Sequence, residues 1–228
     1  MAGGTGRAGN TAAVDLLLVL AVDVSHSVDA LEARLQRDGY LWALTHPRVL
    51  DAIGAGPLGR VAVAYVEFAG PAHQRDIVGW TVIDGPDGAA AFVAALARRP
   101  IGRGPYTAIG AVLDHGRALI AASGMVAARA VIDVSGDGPS NSGPPVARAR
   151  DAAVAAGITV NGLPVTGTRP DPAGGYSAFV THHYVHNVIG GPGAFTVEAA
   201  GYEDFAAALL EKLLREIRGP ADEVAGRN

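Results

Sequence analysis

AAVDLLLVLAVDVSHSVDA, residues 12–30, carries an apolar run (16–22) that ends directly in Asp23, Ser25 and Ser27 at alternate positions. The run is too short to span a bilayer, which takes about 20 apolar residues. Asp15 interrupts the longer stretch 12–22, Asp23 follows it, and the basic segment of a secretion signal does not precede it. It therefore reads as a strand buried on both faces. A carboxylate and two hydroxyls at its end have two readings. They are either a strand end with a helix cap, or oxygens that converge on a ligand.

Further runs of strand length recur at 60–68, 129–135 and 157–163, with weaker candidates at 76–83 and 183–189. Between them, helical patterns occupy 28–45, 88–98, 107–122, 144–156 and 203–217. Leu31, Leu35 and Trp42 share one helical face of the first, and Trp42 and Trp80 are expected in the core. In the last, Phe205, Leu209, Leu213 and Ile217 recur at i, i+4, and acidic residues precede basic ones as the helix dipole favours. Strands alternating with helices predict an α/β fold: a three-layer αβα, doubly wound, mostly parallel sheet. Ligands of such sheets sit beyond the carboxyl ends of the strands, which is where Asp23, Ser25 and Ser27 fall. The domain is expected over 13–218. Residues 1–12 are expected to be disordered or an appended N-terminal segment, and 219–228 a disordered tail.

The 228 residues hold 49% apolar residues and no cysteine, and the net charge is −4 without a basic block. Disulfides and thiolate metal sites are excluded. Non-specific binding to nucleic acid or anionic lipid is disfavoured, and no transmembrane segment is expected.

Two other loops reach the same edge of the expected sheet. GRGPYTAIG (102–110) delivers Thr107 at a helix start, and VIDVSGDGPSN (131–141) ends a strand at Asp137 in a Gly-Asp-Gly turn. Together they offer two carboxylates and three hydroxyls, an all-oxygen set suited to a hard cation: Mg²⁺, Mn²⁺ or Ca²⁺. The carboxylates would offset the partial positive charge of nearby helix N-termini.

This constellation resembles the von Willebrand factor type A domain and its metal-ion-dependent adhesion site. Asp23-Val24-Ser25-His26-Ser27 matches that family's D-x-S-x-S, Thr107 its loop threonine, and Asp137-Gly138 its Asp-Gly turn. Gly136 stands where the family usually has threonine. DVSGDGPSNSGPP, GITVNGLPV, VIGGPGAF and FAAALLEKLLREI are similar to an uncharacterised bacterial branch of the superfamily, a domain of unknown function. The resemblance implies a metal-dependent protein-binding module. Ser25, Ser27 and Thr107 would be its direct ligands, Asp23 and Asp137 would act through water, and a partner would supply an Asp or Glu carboxylate. Many members of the branch carry a secretion signal, which this chain lacks; a signal removed upstream would leave no trace, so the compartment stays open.

The alternatives to this module are a metal-dependent hydrolase of phosphates or esters, or a structural domain with a non-functional metal site. Haloacid-dehalogenase-like chemistry wants D-x-D and a nearby lysine, but Ser25 holds the second position and the one lysine is Lys212. The same scarcity removes a Walker A loop, and Ser135 is not in G-x-S-x-G. His182, His183 and His186 are expected on a strand or loop, not in a zinc-binding H-E-x-x-H helix. Asp133 is either an orienting group behind the site or the partner of a buried arginine. Ser140 and Asn141 either brace the metal turn or form a plain turn, and 189–195 is expected to be a tight loop.

Overall fold

A computed structural model describes residues 12–169, 171 and 173–219. Apart from Ala12 and Gly219, the two segments expected to be disordered lie outside the described residues. The Ala12 carbonyl accepts the Val126 N–H at 3.1 Å, and the Gly219 N–H donates to Arg215 at 2.9 Å.

Five strands form one sheet in the order β3-β2-β1-β4-β5. They are β1 (Ala13–Asp23), β2 (Val61–Phe68), β3 (Gln74–Ile83), β4 (Val126–Gly136) and β5 (Ile158–Pro164). β1 pairs in parallel with both β2 and β4, and β4 with β5, while β3 runs antiparallel to β2. The helices are α1 (Ala30–Leu44), α2 (Pro47–Gly54), α3 (Pro86–Ala97), α4 (Ile109–Ala121), α5 (Val146–Ala155), α6 (Gly175–His183) and α7 (Phe205–Arg218). None of the helices among the described residues is long and apolar enough to cross a membrane.

The alternation along β1 builds both cores. Leu16, Leu18, Leu20 and Val22 pack toward α1, α2, α3 and α7. Val19 and Ala21 pack toward α4, α5 and α6. Each fully buried Leu or Val contributes about 1.5–3 kcal/mol relative to exposure, so β1 cannot slip by one residue without exchanging its two faces. The chain leaves β1 toward β2 on one side and returns to β4 on the other. The crevice at the carboxyl end of β1 and β4 is therefore the topological switch point.

Three expectations are corrected. Residues 183–189 are not a strand: His183 ends α6, and Tyr184–Val188 form a π-helical turn. Val180, Tyr184 and Val188 are the buried positions, spaced by four, so a helical period prevails over a strand period. Leu31 and Trp42 do not face the core, being 63% and 46% exposed. α1 instead buries Gln36, Arg37, Gly39 and Tyr40. Arg37 is ion-paired with Glu67, and a Cβ on Gly39 would lie 2.8 Å from Phe205 Cδ1, so the glycine lets α7 close on α1. Trp80 packs against the core as expected but is only half-buried, with its indole N–H on the Leu119 carbonyl at 3.3 Å.

Candidate functional site

α1 begins at Asp29, whose carboxylate accepts the Leu31 and Glu32 N–H groups while Glu32 accepts the Asp29 N–H. This capping box satisfies the helix start. Asp23, Ser25 and Ser27 are thus not the helix cap, and they converge. The Ser25 N–H donates to Asp23 Oδ1 at 2.7 Å, the Ser25 and Ser27 hydroxyls lie 2.9 Å apart, and Ser27 Oγ donates to Asp137 Oδ1 at 2.7 Å. Four of the five expected site residues form one hydrogen-bonded chain across the switch point.

Thr107, the fifth, is buried and joins through its backbone. Its N–H donates to Asn141 Oδ1 at 2.9 Å, and its carbonyl accepts the Asn141 N–H at 2.9 Å and the Ser140 hydroxyl at 3.1 Å. Ser140 and Asn141 therefore brace the loop onto the Asp137 turn. On its other side the loop is held to the chain just after β1 by Gly104 N–H on the Val24 carbonyl at 3.1 Å, and to β2 by Gly102 N–H on Glu67 Oε2 at 2.8 Å. Tyr106, just before Thr107, has φ +65°, a conformation that side chains other than glycine adopt at a cost. Asn141→Ala is expected to destabilise the chain by about 1 kcal/mol or more, because it leaves the Thr107 N–H without its acceptor. Urea unfolding checks this; an unchanged midpoint would show that solvent replaces the amide.

Burial dominates the electrostatics. It pushes the Asp23 carboxyl up to about 7, with the charge of Asp137 adding to the rise. Asp137 is raised by burial too, against the Ser27 hydrogen bond and the charge of Arg169, which lower it. Asp23 Oδ2 and Asp137 Oδ2 are buried and accept no hydrogen bond among the described residues. A buried carboxylate without donors is costly unless it is protonated, paired or coordinated.

Other contacts were not foreseeable from the motifs. Gln36 Nε2 donates to the Asp23 carbonyl at 3.0 Å, and Tyr176 OH to the Asp137 carbonyl at 3.4 Å. Gln36 lies on the recognised helix 28–45 but off its expected apolar face, and Tyr176 comes from a segment without a recognised pattern. His183 Nε2 accepts the Ser140 N–H at 3.3 Å, and the His182 and His186 rings stack at 3.9 Å. Among the described residues no group of three or more His, Cys, Asp or Glu is placed to hold a metal ion. The set at the switch point is of another kind, two carboxylates with hydroxyls. Asp133 is ion-paired within the core, but to a lysine rather than the expected arginine. Its buried partner is Lys212, which also pairs with Glu216.

The fold is that of a von Willebrand factor type A-like domain. The proximal thread matrix protein 1 of the mussel byssus, in a structure with a zinc-occupied MIDAS motif, superposes with TM-score 0.62 at 13% identity over 91% of this chain. The pilus adhesin SpaC of Lactobacillus rhamnosus GG, in its open conformation, gives 0.63 at 16% identity over 90% of this chain. A von Willebrand factor type A protein of Catenulispora acidiphila gives 0.59 at 14% over 90%. This chain spans 49%, 30% and 43% of those three chains. At such identities the likeness is one of fold. The sequence profile described as "Protein of unknown function (DUF1194)" matches residues 13–221, and the chain belongs to that family. No curated protein matches it by sequence.

Proposed function

We propose that this chain is a divalent-metal-dependent protein-binding module. Asp23, Ser25, Ser27, Thr107 and Asp137 would hold Mg²⁺, with Mn²⁺ or Ca²⁺ as substitutes. A protein partner would supply an Asp or Glu carboxylate.

The observation that carries this reading is the chain Asp23–Ser25–Ser27–Asp137, with a buried carboxylate oxygen at each end that accepts no hydrogen bond. Those oxygens and hydroxyls fit a hard cation, which prefers oxygen donors. The neutral hydroxyls would leave the cation strongly electrophilic toward an incoming carboxylate. The fold neighbours lend support: one is a matrix protein with a zinc-occupied MIDAS and another is a pilus adhesin. The reading is non-enzymatic, since neither neighbour is described as an enzyme.

Excess Mg²⁺ or Mn²⁺ is expected to raise the melting temperature over that in chelator. A ligand at a hundredfold excess over its Kd stabilises by about 2.7 kcal/mol. Asp137→Ala should abolish the rise. Coincident melting curves for the wild-type chain in metal and in chelator would overturn the proposal.

A further inference from the structure

Tyr184 does not belong to the motif, yet it reaches the site. Its side chain is fully buried, and its hydroxyl has no hydrogen-bond partner among the described residues. Two glycines on neighbouring strands make room for it. A Cβ on Gly162 of β5 would lie 2.6 Å from Tyr184 Cδ1. A Cβ on Gly136 of β4 would lie 2.9 Å from Tyr184 Oη and also 2.9 Å from Asp23 Oδ2. Glycine inside a strand weakens it and marks a close approach; here both approaches are made by one ring.

The departure at Gly136 therefore does more than reshape a turn. The space that any side chain at 136 would enter is shared by the Tyr184 hydroxyl and the Asp23 oxygen that has no donor. No direct hydrogen bond joins the two oxygens, but both border the same point, 2.9 Å from each, so one water can bridge them. Asp23 Oδ1 is already fixed by the Ser25 N–H, so Oδ2 decides which way the carboxylate is turned. The ring is delivered by the π-helical turn Tyr184–Val188, closed by Ile189 N–H on the Tyr184 carbonyl at 3.0 Å. Such turns are rare and frequent at functional sites.

We infer that Tyr184 is a positioning residue of the candidate metal centre: its phenol donates toward Asp23 Oδ2 and holds that carboxylate in the orientation that receives the cation. The inference rests on the metal-site reading above. Burial and the surrounding carboxylates push the phenol well above its ordinary value, so the hydroxyl remains a donor across the physiological range. Partners that orient a metal-binding carboxylate typically change metal affinity by about 10–100-fold when lost.

The test is Mn²⁺ titration calorimetry on the wild-type chain and Tyr184→Phe, with melting curves of both in chelator. Phenylalanine keeps the ring between the two glycines and removes only the oxygen. The expected result is about a tenfold or greater loss of Mn²⁺ affinity with the chelator melting temperature unchanged or raised. Equal affinities would overturn the positioning role while leaving the metal site standing. A lower melting temperature in chelator with affinity intact would also overturn it, by showing a packing role. Failure of the wild-type chain to bind Mn²⁺ would overturn both readings.

Discussion

Lys212→Ala is expected to destabilise the chain by about 3–5 kcal/mol. Lys212 is the one lysine of the sequence and is fully buried. It sits on α7 against the face of the sheet that carries Asp133, and it pairs with Asp133 and with Glu216 one turn on. Asn161, the β5 residue in register with Asp133, donates Nδ2 to Glu216 Oε1 at 3.0 Å. Burial and Glu216 push Asp133 up, and the Lys212 ammonium pulls it back down. Without the lysine, two buried carboxylates would face each other with one amide between them. Lys212→Met separates the lost charge from the lost stem and should cost nearly as much as alanine. Converting the whole triad to apolar residues is expected to recover most of the loss, since buried ion networks often do no better than well-packed apolar ones. Urea unfolding at neutral pH measures all three, and the single variants should lower the midpoint by on the order of 1 M or more. If Lys212→Met unfolds with the wild type, the ammonium does not hold α7 to the sheet.

How much of this was legible follows from how each residue is used. β1, β2, β4 and β5 could be read because both faces of each are covered and their sequences are nearly unbroken apolar runs. β3 was faint because it is mostly half-buried or exposed, unlike β5 at the other edge, and its antiparallel direction comes from a tight connection after β2 rather than from its own residues. α1 misled because its inward face is chosen by polar tasks. Gln36 supports the Asp23 carbonyl and Arg37 pairs with Glu67, so Leu31 and Trp42 are left outside. The switch-point set was visible as the spacing of Asp23, Ser25 and Ser27, and their hydrogen bonds are made where the chain leaves β1, through a bridge at Ser25 and a turn at Ser27. Tyr184 and Tyr176 were not, because contacts between β1 or β4 and α6 or its π-helical extension have no signature in a linear sequence. Gly136 was visible as a departure, but its meaning needed the ring that fills the space.

Acidity should control the site with a sign opposite to that of an ordinary salt-bridged carboxylate. In the metal-free chain Asp23 titrates near 7, against 3.8 for an unperturbed aspartate, and Asp137 is also raised. The folded state thus holds protons that the unfolded chain has released. The stability tied to Asp23 is fully present below about pH 4 and is lost as the pH rises through 7. Each unit of upward shift corresponds to about 1.4 kcal/mol, so the loss amounts to several kcal/mol. A cation at the same oxygens competes with the proton, and its binding releases protons. The rise in melting temperature from excess Mg²⁺ should therefore be small near pH 5 and large near pH 8. Asp23→Asn keeps the shape of the side chain and removes its titration. In chelator this variant should show a flatter pH dependence than the wild type and melt higher near pH 8, while gaining nothing from Mg²⁺. Melting curves of both chains across that range, in metal and in chelator, make the comparison. Parallel pH profiles for Asp23→Asn and wild type in chelator would show that Asp23 does not carry the proton. A Mg²⁺ effect of equal size at both ends of the range would show that the cation does not replace it.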